Sequence, residues 1–64
     1  MQDFQQRVVD EKRELDDKIS RLKPFVEGEK FKELPPDERA RMNRQLFHME
    51  CCAVILGERI AAFQ

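Results

Sequence analysis

Apolar residues recur along this chain with a helical period, and the longest such run lies near its end. Met42, Leu46, Met49, Ala53, Leu56, Ile60 and Phe63 alternate at spacings of four and three, an uninterrupted seam over three heptads. Pro35-Pro36-Asp37-Glu38 supplies the start, with proline at the first helical position and acids in the first turn. These features predict a helix over about 36–63, with Gly57 as its one weak point. A second stripe, Phe47, Cys51, Val54 and Ala61 with Ile55 and Ala62 beside it, falls on the opposite face. A helix apolar on two opposed faces must be covered on both. Upstream, Phe4, Val8, Leu15, Ile19, Leu22 and Val26 form a more modest stripe. They predict a first helix over about 3–26, opened by Asp3 and Gln6 as a weak capping box and ended within a turn of Pro24. Acid-before-base pairs at Asp3–Arg7, Glu14–Lys18 and Asp17–Arg21 favour the same helix. Between the two, Phe25, Val26, Phe31 and Leu34 are too apolar for a free loop and predict a short helical turn over about 29–34. The expected fold is therefore all-α: an antiparallel two-helix hairpin in one domain, residues 1–64. One helix can cover only one face of the other, so a homo-oligomer is expected.

Composition narrows the function. Sixty-four residues bury too little surface to be robust alone. With 12 basic and 13 acidic residues, the chain is too neutral for a dedicated duplex-DNA binder, and no specific nucleic acid is expected. At 41% hydrophobic it is too apolar for disorder. No run reaches the ~18 apolar residues of a membrane span, and no apolar signal core opens the chain. Adjacent Cys51 and Cys52 cannot frame a secreted disulfide scaffold, which points to a reducing cytoplasm. There is no Thr, Tyr or Trp, one Ser (Ser20) and one His (His48). An enzyme is not expected, nor a cofactor. His48 and Cys51 share a helical face but offer only half a metal site, so no metal is expected and both cysteines are read as small packing residues.

Polar residues beside the seams carry the candidate chemistry. Phe4, Glu11, Lys18 and Phe25 recur at intervals of seven, and Gln45, Cys52 and Arg59 do the same on the second helix. In an antiparallel hairpin Glu11 comes near Arg59, and Phe25 near Gln45. One reading is an ion pair and polar strip that fix register. The other is a pocket at a subunit junction, with Arg7, Lys18 and Arg59 on phosphate, Gln45 on a base or ribose edge, Phe4 or Phe25 stacking, and Glu11 orienting Arg59 or accepting ribose hydroxyls. Arg39, Arg41 and Arg44 near a helix start form a second anion candidate, partly cancelled by Asp37 and Glu38.

The strings RVVDEKRELDDKISRLKPFV and FKELPPDERARMNRQLFHMECCAVILGERIAAF resemble a group of very small phage and prophage helical-hairpin proteins. The positions that carry the likeness are Glu11, Glu14 or Leu15, Lys18, Gln45, Met49, Leu56, Arg59 and Ile60. Cys52 departs from the pattern, where an aromatic such as Tyr is expected. Within that group the chain looks most like the Sequestin-type sponges. The resemblance implies an anti-defence protein in the host bacterial cytoplasm. Such a protein sequesters a nucleotide immune signal without cleaving it: a cyclic ADP-ribose-type molecule made by TIR proteins in Thoeris, or a cyclic oligonucleotide of CBASS. A protein-binding module, either an inhibitor of a host defence protein or a virion assembly adaptor, is the alternative.

Overall fold

The structure, a computed structural model, describes residues 2–63. It is helical throughout its ordered elements: α1 (Asp3–Val26), α2 (Glu29–Lys32) and α3 (Pro36–Ala61). α1 and α3 lie antiparallel along a rod of 46 × 15 × 14 Å.

α1 starts one residue away from the expected box. Gln2 is the N-cap, and its backbone N–H donates to Gln5 Oε1 at 2.9 Å, so the reciprocal residue is Gln5 rather than Gln6. Asp3 thereby becomes the first helical residue, where its charge meets the positive end of the helix dipole. Gln6 instead donates to Asp10 Oδ1 at 3.0 Å. Of the three expected acid–base pairs, Asp17–Arg21 closes at 2.9 Å. Lys12–Asp16 at 2.7 Å and Asp10–Arg13 at 4.0 Å take the place of the other two, since a lysine stem reaches a carboxylate in either direction along the helix. Pro24 sits inside the last turn, and the helix finishes two residues later. Proline there gives up the one N–H that would bond the Ser20 carbonyl, a loss confined to the final turn.

α2 exists to place one residue. Phe31 is buried under the turn and meets Phe25 edge-to-face, with ring centroids 6.2 Å apart. At the other pole Phe4 and Phe63 make the same kind of contact at 6.0 Å. Aromatic edge contacts of this geometry add about 0.5–1.5 kcal/mol each beyond burial. α3 opens with Pro35 as N-cap and Pro36 at the first helical position, as the sequence requires.

The seam of α3 faces α1. Leu46, Ala53 and Leu56 are buried, while Met42, Met49, Ile60 and Phe63 are half-buried. α1 contributes Val8, fully in the contact, with Leu15, Ile19, Leu22 and Val26 at its margins. Two helices cannot enclose a side chain on every side, and among the described residues none is less than 2% exposed. The opposed stripe of α3 stays in water, with Phe47, Val54 and Ile55 exposed at 62%, 64% and 56%. Cys51 and Cys52 are exposed as well, which corrects their reading as packing residues. The reason is angular: both lie off the seam, and nothing in the hairpin reaches their side of α3.

Candidate functional site

Lys12, Asp16 and Ile19 of α1 and Glu50, Ala53, Val54 and Gly57 of α3 line an open groove of about 370 Å³ along one edge of the rod. Gly57 makes room for it. A Cβ at that position would stand 3.2 Å from Lys12 Cε, so the lysine stem lies directly across the glycine. What approaches Gly57 is thus the end of one flexible side chain, not the backbone of the facing helix. The groove has the volume of a small-molecule site, but its charges are wrong for phosphate. Lys12 is already bonded to Asp16 at 2.7 Å, and Glu50 adds a second carboxylate. A dianionic ligand there meets repulsion at contact distance.

Since Lys12, Asp16, Glu50 and Gly57 occupy one edge, helical geometry assigns the other flank of each helix to the opposite edge. That edge holds the residues singled out from the sequence. Phe4, Glu11, Lys18 and Phe25 run along α1, with Arg7 just outside them, and Gln45, Cys52 and Arg59 run along α3. All seven candidate residues are exposed in the hairpin. The register, fixed by Phe4 against Phe63 and Lys12 against Gly57, sets Glu11 level with Leu56 to Glu58 and Phe25 level with Met42 to Arg44, just short of Arg59 and Gln45.

The seven do not form one cluster. Phe4, Arg7, Glu11 and Arg59 gather near the open pole, Phe25 and Gln45 near the turn, and Lys18 lies between. Phe4 and Phe25 are separated by 21 residues of helix, ~31 Å, so one small ligand cannot stack on both rings of one protomer. No ion pair joins α1 to α3 among the described residues. Every one found there links positions three or four apart in one helix, and Glu11 and Arg59 are in none of them. Register is therefore held by the apolar seam and the aromatic poles.

At the start of α3, Arg41 is committed to Glu38 at 3.0 Å and Asp37 at 3.6 Å, as the local acids suggested. Arg39 lies against the hairpin with its Nε enclosed and without a hydrogen-bond partner. No grouping of three or more His, Cys, Asp or Glu able to hold a metal occurs among the described residues. Among the described residues no helix is long and apolar enough to cross a membrane. Sequence reasoning missed the groove and the burial of Gln5. Gly57 was the available signal for the first, since a helical glycine marks a close approach.

A protein-family model described as Sequestin matches residues 2–62. No curated protein and no solved structure matches the chain.

Proposed function

Because this chain belongs to the Sequestin family, we propose that it binds and sequesters a small phosphate-bearing nucleotide immune signal without cleaving it, as a homo-oligomer of phage origin. The observation that carries this reading is the family match over nearly the whole chain. The basic edge supports it chemically. Arg7, Lys18 and Arg59 bring three cations against the carboxylates of Glu11 and Glu14, whereas the opposite groove sets Asp16 and Glu50 against Lys12 alone. Arginine offers a planar fork of donors to a phosphate, Gln45 carries both a donor and an acceptor for a base or ribose, and Phe4 presents an exposed ring for stacking.

Sequestration asks only for tight binding in a site formed in advance; no bond is made or broken. Contacts to fully solvated arginine are weak, about 1 kcal/mol or less, because water competes and salt screens. Every residue of the edge is solvated in the single hairpin. A second protomer laid against the edge excludes that water and raises the worth of each contact. The cyclic ADP-ribose isomers of TIR signalling and cyclic dinucleotides share the required chemistry of phosphate, ribose and base.

Titration calorimetry with both ligand classes tests the proposal. We expect submicromolar binding to at least one ligand, its recovery intact after denaturing the protein, and about tenfold or greater weakening in Arg59→Ala and Lys18→Ala. Absence of heat with every ligand, or recovery of a cleaved product, overturns it.

A further inference from the structure

The exposed stripe of α3 follows its own heptad: Ala40, Arg44, Phe47, Cys51, Val54, Glu58 and Ala61, with Ile55 on its flank. All are exposed in the hairpin, and Phe47, Val54 and Ile55 are more than half in water. The order of residues is self-complementary. Reading outward from Cys51 in both directions gives Phe47 and Val54, then Arg44 and Glu58, then Ala40 and Ala61. A cation and a carboxylate stand equally far from one cysteine, each just beyond a large apolar residue. Neither Arg44 nor Glu58 takes part in an ion pair or side-chain hydrogen bond within the hairpin, among the described residues.

We propose that this face is a two-fold interface with a second copy of the chain, in which two α3 helices pack antiparallel with Cys51 on the symmetry axis. Cys51 then meets the partner's Cys51, Phe47 meets the partner's Val54, Arg44 pairs with the partner's Glu58, and Ala40 faces the partner's Ala61. The small residues at the axis and at both ends permit axes to approach to about 8–10 Å. Other registers are worse. Sliding one helix by a half-heptad layer one way buries Glu58 against Phe47 and leaves Arg44 beside alanine. Sliding it the other way sets Arg44 against Val54. A parallel pair sets Arg44 on Arg44 and Glu58 on Glu58, where like charges repel. Charge complementarity thus selects both orientation and register. The strip from Ala40 to Ala61 spans ~32 Å, enough for a modest interface whose occupancy depends on concentration.

This face is distinct from the basic edge of the reading above, and the contact needs no nucleotide. Its test is therefore run without ligand. In Cys52→Ser protein, Cys51 is the one remaining thiol, and copper–phenanthroline in air joins two such thiols, passing two electrons to oxygen. We expect rapid formation of a Cys51–Cys51 dimer at a rate that dilution barely changes as long as the protein stays above the dissociation constant of the dimer. Arg44→Glu and Glu58→Arg should each slow it about tenfold or more, and the two together should restore it. Val54→Asp should remain helical by circular dichroism, since Val54 is exposed in the hairpin, yet sediment as a monomer. Cross-linking that is slow, second-order and equal in all charge variants overturns the interface. So does a charge-swapped pair that fails to recover, because a parallel or unrelated contact predicts no compensation.

Discussion

Leu56, at 3% exposure, is the most enclosed of the buried apolar side chains, and it sits mid-seam between Ala53 and Ile60. Truncating a buried leucine costs about 2–5 kcal/mol, through lost transfer and an unfilled cavity. A core of this size supplies only ~3–5 kcal/mol in all. Leu56→Ala should accordingly lose about 2–4 kcal/mol in urea titration followed by circular dichroism, leaving a substantially unfolded population. A loss below 1 kcal/mol would mean the seam is not the main support. Single residues were also where the sequence was hardest to read. Asp3 is by type the better N-cap, yet Gln2 takes the role because Gln5 can reach back to its N–H. The cysteines are buried in most proteins by chemical habit, but here their angle on α3 decides, and both face water.

At the level of the helices, legibility followed the strength of the period. The seam of α3 is continuous, so the sequence predicted both its partner face and the exposure of the opposed stripe. α1 carries fewer apolar positions, and Phe4, assigned to its stripe, turns out more than half exposed while leaning on Phe63. α2 was readable because Phe31 has nowhere else to go. The heptad lines placed Glu11, Lys18, Gln45 and Arg59 beside the seam, but the other border, with Lys12, Asp16 and Glu50, was not readable because no regular spacing marks it. Gly57 gives this scale its own prediction. Alanine there gains about 1 kcal/mol of helix propensity, against the shift of one flexible lysine end that now sits 3.2 Å away. Gly57→Ala should raise the melting midpoint by ~2–4 °C, read by thermal circular dichroism. A fall in the midpoint would show that the Lys12 stem cannot move aside, and that the groove is built more tightly than its openness to solvent implies.

For the molecule as a whole, the governing fact is a rod with one apolar seam closed and a second open. With no side chain below 2% exposure among the described residues, a 64-residue hairpin gains stability from a second copy if the proposed two-fold interface forms. Mass action then ties unfolding to concentration. Over about a hundredfold range the melting midpoint should climb by several degrees, since each hundredfold is worth up to ~2.7 kcal/mol. Val54→Asp should flatten that dependence. A midpoint independent of concentration in the wild-type protein would mark the hairpin as self-sufficient. The two edges differ in sign, basic along Arg7, Lys18 and Arg59 and acidic along Asp16 and Glu50. In the proposed function, that difference separates the edge offered to phosphate from the one that repels it. It became visible only once the register told which charges stand side by side.

Phe4 and Phe63 touch, so both strands of the pin leave from one tip. A short bridge from tail to head, with a cut opened in the turn, would swap the order of the two rods and leave the seam between them in place. Such a rewired chain offers a way to tether two pins at will, and so to set their number by design rather than by dilution.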